Sequence, residues 1–521
     1  MQLSTQLPGR GEWTAAAATA ILLILSFPNF EFYFLAWVAL VPLIWAIARR
    51  PSPSRAFILG WTAGTIFFYG SCYWLTYSMI HYGELPTVVA YLLLLPGALA
   101  VGIFPGLFAA VLALAVKRWG QFAILAAPFL WPAFEWTRLG VTGQLWNALG
   151  YSQAYHWMLI QSANWGGVYA VSFLIVAINT AIALVILKRN VASVGAALVV
   201  AASVGMAILS ARMFPSPSTT SSDIRSVQVI ALQPNVPMNL VKTNEEVDEL
   251  RERHLRLSKQ ALAQLPNAYS RRIVIWPESP MNFSYASDRS FREWVANFAR
   301  ENHTSLIFNS LEPAGPDADY NSALLINEEG RMISQYDKIR LMPFGEYVPL
   351  PQWLPGASLI TAIVGDFTPG DKYTLMPFGY GDQKAGVFIC IESAYPWLAR
   401  RLTNEGAGVL INISNDGYLG PTAVMRQHLA NAIFRAVENG RPVLRVTNTG
   451  LSARISEIGR VDEMTAPFQE DVRIWSVGPS SIDQTFYTKR GDLFVQICAA
   501  ITVLILIAAL LTGRRSRRQT G

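Results

Sequence analysis

The sequence predicts two kinds of structure in one chain: an α-helical polytopic membrane domain of about eight spans and an α/β layered domain. Three observations carry this. The 521 residues are 52% hydrophobic and only 15% charged, against about 25% charged in an average soluble domain. The deficit is concentrated: residues 13–213 hold long apolar stretches with charges only between them, whereas residues 223–492 have the balance of a soluble domain. Within that second region, short apolar runs rich in β-branched residues alternate with helix-like stretches.

A helix crosses the hydrocarbon core with about 20 apolar residues. Candidate spans are 13–27, 30–47, 56–80, 88–116, 121–139, 168–187, 191–213 and 493–511. The first reads as a span and not as a cleaved leader, because Pro28 and Asn29 lead straight into the second and no small-residue cleavage site is clear. Pro96 and Pro105 fall inside the fourth and imply a kink. Basic residues sit in alternate connections: Arg10; Arg49, Arg50 and Arg55; Lys117 and Arg118; Lys188 and Arg189; and Arg514, Arg515, Arg517 and Arg518. Such clusters mark the cytoplasmic side. Both termini are therefore expected inside, and the large segment before the last span outside. The net charge of +6 is spread over these clusters in place of one patch, so it sets topology and argues against a nucleic-acid partner. The expected organisation is a transmembrane bundle at 1–214, a Pro/Ser/Thr linker at 215–222, a catalytic domain at 223–490, and a final helix with a basic tail at 491–521.

In the soluble region, strands are expected at 227–232, 273–276, 305–309, 323–326, 385–390, 409–413 and 443–446, and helices at 245–265, 288–301, 395–404 and 423–438. Continuous apolar runs such as 272–276 suggest a sheet buried on both faces.

Three segments break the pattern, because each puts a chemically active residue where a strand ends. Glu278 follows the run at 273–276 and is bracketed by Pro277 and Pro280, which fix the local backbone. Lys338 and Glu346 lie in Tyr-Asp-Lys-Ile-Arg-Leu-Met-Pro-Phe-Gly-Glu-Tyr-Val-Pro, a stretch with neither helical nor strand period. Cys390 ends the run Gly-Val-Phe-Ile-Cys and precedes a helix-like segment. Taken singly, these residues read as a solvated glutamate, a surface lysine and a buried core cysteine. Taken together they supply a base, an electrostatic stabiliser and a nucleophile. A nearby cation lowers a thiol pKa. Cys72 and Cys498 fall in apolar segments, which leaves Cys390 alone in the soluble region with no disulfide partner there. The five histidines show no ligand spacing, so no metal and no cofactor is implied, and His428 reads as structural.

The order Glu, Lys, Cys within Trp-Pro-Glu-Ser, the Tyr-Asp-Lys segment and Phe-Ile-Cys-Ile-Glu-Ser resembles the nitrilase superfamily, and most closely its membrane-embedded branch, the bacterial apolipoprotein N-acyltransferases. The segments 412–418 and 435–450 also look like that family, and the resemblance covers essentially the whole chain. It implies a nitrilase-like (carbon–nitrogen hydrolase) αββα sandwich. It implies a catalytic triad on Glu278, Lys338 and Cys390, supported by Glu346 and Glu392. Two positions depart from the family pattern: Ile391, where a tyrosine is common, and Val241 with Lys242, where a tryptophan is usual.

The implied activity is ping-pong acyl transfer. A phospholipid acyl donor forms a thioester on Cys390, and the acceptor is the N-terminal amine of a diacylglyceryl-modified apolipoprotein. The backbone N–H of Ile391 joins Lys338 in holding the oxyanion. The implied place is the bacterial inner membrane, with the catalytic domain in the periplasm. The apolar stretch at 350–364 suggests a membrane-dipping lid containing Trp353, Leu359, Ile360, Ile363 and Val364. Two other functions fit parts of the pattern. One is a tethered amidase for a small soluble amide, for which seven spans before the domain are more than an anchor needs. The other is a transporter with an accessory domain, against which the spans carry few charges beyond Glu135 and Arg138.

Overall fold

The computed structural model describes residues 7–211, 226–238, 242–265, 271–316, 318–343, 345–347, 367–478, 480 and 483–518. The chain divides into two compact units. One comprises Met1–Pro215, Thr422–Ala430 and Thr485–Gly521; the other comprises Ser216–Pro421 and Asn431–Gln484.

The first unit is helical. Helices stand at each expected span, but four among the described residues are long and apolar enough to cross a membrane: Thr87–Trp119, Ala163–Lys188, Val191–Leu209 and Leu493–Thr512. Elsewhere the helices are shorter or interrupted, so length and composition carry the expectation of about eight spans only to that number. The second expected span is broken near Leu40, before Val41–Arg49. The third divides after Ser71 into Pro53–Ser71 and Leu75–His81. Leu198, Val199 and Met206 are about two-thirds exposed (65%, 67% and 69%), as expected of a helix solvated by lipid and not by water. Glu135 and Arg138 are both buried. Glu135 accepts hydrogen bonds from the Trp131 indole (2.9 Å) and the Leu149 N–H (2.7 Å), and Arg138 donates to the Trp146 carbonyl (2.8 Å).

Helix Pro53–Ser71 packs along Thr87–Trp119. Small residues four apart face each other here, Gly60 and Gly64 on one helix and Gly102 and Gly106 on the other. Without a hydrophobic drive between helices in lipid, such small residues let backbones approach and gain dispersion contacts. A Cβ at Gly64 would sit 2.7 Å from the Pro105 ring, and one at Gly60 would run into the Pro105 carbonyl oxygen.

Among the described residues the second unit has twelve strands: β1 Val227–Gln233, β2 Arg272–Ile275, β3 Ser305–Gly315, β4 Ala318–Ile326, β5 Met332–Asp337, β6 Leu375–Pro377, β7 Lys384–Ile389, β8 Val409–Ser414, β9 Val443–Thr447, β10 Ala453–Ile455, β11 Val461–Asp462 and β12 Asp471–Val477. They form two six-stranded sheets, ordered β12-β1-β2-β3-β4-β5 and β11-β10-β9-β8-β7-β6. The sheets face each other across one apolar core, Val229, Ile275, Ile307 and Leu325 meeting Val387, Ile389, Ile411 and Val446. The outer face of the first sheet, including Val274 and Trp276, is covered by Leu257, Phe291, Val295 and Phe298 from helices Asn244–Leu262 and Arg289–Glu301. Helix Pro396–Asn404 packs on β7. Adjacent residues Val274 and Ile275 thus bury against different layers, which is why β2 reads as an unbroken apolar run. The result is the αββα sandwich. Strands β5, β6, β10, β11 and β12 were not expected, because half-exposed sequences such as Met-Ile-Ser-Gln-Tyr-Asp lack that signature.

Replacing Gly60 with Leu should lower the thermal unfolding midpoint of the full-length protein in detergent by several degrees. Gly97→Leu, on the same helix pair but with open space around its Cβ position, serves as the control and should not. Equal midpoints for the two variants would show that this close approach does not hold the bundle together.

Candidate active site

Sheet topology delivers the reactive residues to one end of the sandwich. Strand β3 is parallel to β2, β4 antiparallel to β3, and β5 antiparallel to β4, so β2 and β5 point the same way. Glu278 lies three residues beyond β2 and Lys338 immediately beyond β5. On the second sheet, β7 and β8 are parallel, and Cys390 and Asn415 come immediately after them.

Lys338 is the centre of the cluster, at 1% exposure. Its Nζ donates to Glu346 Oε1 at 2.8 Å and to Glu278 Oε1 at 3.5 Å. Its backbone is fixed on both sides, N–H to the Asn321 carbonyl and carbonyl to the Gly370 N–H, each at 2.8 Å. Burial pushes the Lys338 ammonium down, but the Glu278 and Glu346 charges outweigh it, and the group stays protonated with a net upward shift. Asn321 on β4 bridges the two carboxylates: its Nδ2 donates to Glu278 Oε1 (2.9 Å) and Glu346 Oε1 (2.7 Å). Its own Oδ1 accepts from Asn309 Nδ2 at 2.7 Å. The other Glu278 oxygen accepts the Asn415 N–H at 3.1 Å, and the other Glu346 oxygen accepts the Met342 N–H at 2.7 Å. Every oxygen of both carboxylates therefore has a fixed donor.

Cys390 sits on a sharp turn with φ +50° between β7 and a 3-10 helix, Cys390–Ala394. A non-glycine residue in this region is uncommon and strained, and the turn lifts the half-buried thiol out of the strand. Ile391 follows it, buried, with its N–H in the first turn of that helix, where N–H groups have no intrahelical acceptor. The charges of Glu278, Lys338, Asp416 and Glu346 all act on the thiol. Burial pushes the Cys390 thiol up, the Glu278 charge adds to the rise, and Lys338 opposes it without cancelling it. The sequence led us to expect a thiol lowered by its lysine. Because Lys338 is already shared between two carboxylates, the resting group is instead a neutral thiol.

Glu392 is buried beneath this turn. Its two oxygens accept the N–H groups of Ile339 (2.7 Å), Arg340 (3.0 Å) and Ile389 (2.7 Å), and the Tyr336 hydroxyl lies 2.9 Å from both. One side chain thus ties the backbone after Lys338 to the backbone before Cys390. Burial pushes the Glu392 carboxyl up to about 7, against the pull of the Ile389 and Arg340 N–H groups, Lys338 and Tyr336.

The structure brings Glu278, Lys338, Glu346, Cys390 and Glu392 into this one neighbourhood. Asn321 and Tyr336 are members that sequence reasoning missed; Asn321 stands in the polar half of β4, Ala-Asp-Tyr-Asn-Ser, where nothing local sets it apart. Lys242 donates to the Pro280 carbonyl at 3.4 Å, beside the Glu278 segment. The expected lid residues Trp353, Leu359, Ile360, Ile363 and Val364 lie outside the described residues. Among the described residues no group of acidic, His and Cys side chains has a metal-binding arrangement.

A neutral resting thiol has a kinetic signature. Alkylation of Cys390 by iodoacetamide, followed by mass spectrometry at its own peptide, should still be accelerating above about pH 9, beyond the ordinary thiol pKa of about 8.5. A plateau below about pH 8 would instead mean that the thiolate is formed before substrate arrives.

Comparison with known proteins bears on both halves. Residues 19–181 match the family model for the apolipoprotein N-acyltransferase N-terminal domain, and residues 227–487 match that for carbon–nitrogen hydrolase. The apolipoprotein N-acyltransferase of Geobacter metallireducens is 33% identical, over 97% of this chain and 96% of its own. That of Chlorobaculum tepidum is 27% identical over 94% and 95%. Among solved structures, Saccharomyces cerevisiae Nit3 of the nitrilase superfamily overlaps 53% of this chain and 97% of its own, at 18% identity and a TM-score of 0.38. Matched in both halves, and at that identity along nearly its entire length, the chain belongs to the apolipoprotein N-acyltransferase family.

Proposed function

We propose that the protein transfers an acyl chain from a membrane phospholipid, through a thioester on Cys390, to the N-terminal amine of a diacylglyceryl-cysteine apolipoprotein, the final step of lipoprotein maturation. The observation that carries this is the buried Lys338, paired with Glu278 and Glu346 and sharing one electrostatic field with a thiol on a strained turn.

In the first half-reaction Glu278 takes the thiol proton as sulfur attacks the ester carbonyl carbon. Lys338 and the Ile391 N–H hold the oxyanion. Collapse expels the lysophospholipid alkoxide, which takes the proton from Glu278, and leaves the thioester. In the second, the α-amine attacks the thioester carbonyl and gives a proton to Glu278. The Cys390 thiolate leaves, recovers that proton, and an amide remains. An amide is more stable than a thioester, so no external energy source is needed. Glu346 and Asn321 position Lys338 and Glu278, and Glu392 positions both backbones. Because both substrates are lipid-anchored, the reaction has to take place at a membrane surface. The basic clusters support a bacterial inner-membrane location with both termini cytoplasmic and the catalytic domain periplasmic.

Cys390→Ala should abolish both half-reactions, while Cys72→Ala and Cys498→Ala retain activity; substantial transfer by Cys390→Ala would remove the nucleophile from this account. Lys338→Ala should cost roughly a hundred- to a thousand-fold in rate, the usual loss for one oxyanion donor. Full activity in Lys338→Met would show that the charge has no part in the chemistry.

A further inference from the structure

Arg445 stands in the middle of β9 and is completely buried. Its neighbours Leu444 and Val446 enter the core between the two sheets, so the alternation of a strand turns Arg445 to the other face. There it is in register with Asn412 on β8, which is in register with Phe388 on β7. Taking a guanidinium out of water is costly, and apolar side chains of similar volume often serve stability as well as a buried ion pair or better. Stability alone is therefore a weak reason for a charge at this place. Its bonds supply a stronger one.

The guanidinium forks within the catalytic unit. Nη1 donates to Asn412 Oδ1, and Nη2 donates to Asp416 Oδ2 at 2.8 Å. Each arm leads to a reacting residue. Arginine has donors only, so it fixes which end of the Asn412 amide faces it and leaves Nδ2 for other partners. That Nδ2 donates to the carbonyls of Phe388 (3.2 Å) and Cys390 (3.4 Å), at the turn that carries the nucleophile. On the second arm, Asp416 Oδ1 accepts the Ser414 hydroxyl at 3.2 Å. The carboxylate thus spans Asn415, whose N–H meets Glu278 Oε2 at 3.1 Å. A Cβ at Gly450 would lie 2.3 Å from Asp416 Oδ2, so the glycine leaves this carboxylate its room. Asn448 steadies the second arm, its Nδ2 donating to Asn415 Oδ1 at 3.3 Å; the Cys390 carbonyl belongs to the first.

We infer that Arg445 is a positioning residue for the acyl transfer: through Asn412 and Asp416 its guanidinium sets both the turn that carries Cys390 and the segment that directs Glu278. The inference rests on the acyl-transfer reading. Two buried side chains then divide the work. Glu392 ties the lysine backbone to the cysteine backbone, and Arg445 ties the cysteine to the base. Sulfur must reach the ester carbon while Glu278 takes its proton, so an error in their relative position slows acylation without weakening substrate binding.

The test uses full-length protein in detergent and a short-chain p-nitrophenyl ester with no acceptor amine. The first turnover releases a burst of p-nitrophenolate. Its rate constant is that of acylation and its amplitude counts competent sites, so unfolded protein does not alter the rate constant. Arg445→Lys keeps a charge beside Asp416, but a point charge cannot hold two acceptors in a planar fork. Asn412→Asp keeps an acceptor for Arg445 and removes the donor to the Cys390 carbonyl. Expected for each is a fall in the acylation rate constant of about ten- to a hundred-fold, with the half-saturating ester concentration unchanged. An unchanged rate constant in either variant, with only burst amplitude or melting temperature reduced, would leave a stability role and overturn the inference. A defect seen only as a raised half-saturating concentration would also overturn it. If Arg445→Lys does not fold, Asn412→Asp decides on the same criteria. A wild-type protein without a burst, or Cys390→Ala with one, would instead overturn the acyl-transfer reading, and the inference with it.

Discussion

A lysine ammonium taken out of water dictates most of what surrounds it. Lys338 is 1% exposed, and an unpaired ammonium in such a place costs several kcal/mol. That cost requires compensating carboxylates, and two are present, Glu346 at 2.8 Å and Glu278 at 3.5 Å. Two carboxylates sharing one cation repel each other unless something stands between them, and the Asn321 amide donates to both. Asn309, Asn415 and Met342 then complete the remaining bonds of this network. The charge is thereby fixed in place before any substrate arrives, which is the condition for electrostatic stabilisation without reorganisation at the moment of reaction.

The same network explains the state of the nucleophile. A lysine with no other partner would pull the Cys390 thiol pKa down. A lysine already neutralised by two carboxylates leaves burial and the Glu278 charge in control, and the thiol is held protonated. Activation then falls to proton transfer during attack, so the placement of Glu278 matters more than the intrinsic acidity of the cysteine. Glu392 serves the same end from below. By accepting the N–H groups of Ile339, Arg340 and Ile389 it fixes the lysine and cysteine backbones to one carboxyl group.

Legibility in the sequence follows the range of the interactions involved. Glu278 and Cys390 could be singled out because each ends an apolar run with a reactive group, a local pattern, and Lys338 because its segment stands between them in the order Glu, Lys, Cys. Asn321 could not, because its meaning lies in bonds to Glu278 and Glu346, 43 and 25 residues away in sequence. Gln427 reads as one polar residue on an ordinary helix until the Trp74 and Trp146 indoles, 353 and 281 residues distant, are seen to converge on it. The doubly buried strands β2, β7, β8 and β9 were evident from composition, whereas β5 and β12 have half-exposed faces and no such signature. In the helical unit, apolar composition located the helices but not their interruptions. Nothing about residues 56–80 marks the break at Cys72, which arises where Ser71 and Gln427 meet.

The central claim is that Cys390 carries the acyl group between two lipids. The direct measurement is the intact mass of the full-length protein after incubation with a phospholipid of defined acyl chains and no acceptor, followed by peptide mapping. The account predicts one added acyl mass, located on the Cys390 peptide, discharged by a diacylglyceryl-cysteine peptide, and lost in Cys390→Ala. An acyl mass on any other residue, or acyl transfer to the peptide by a protein that never carries the acyl mass, would contradict it.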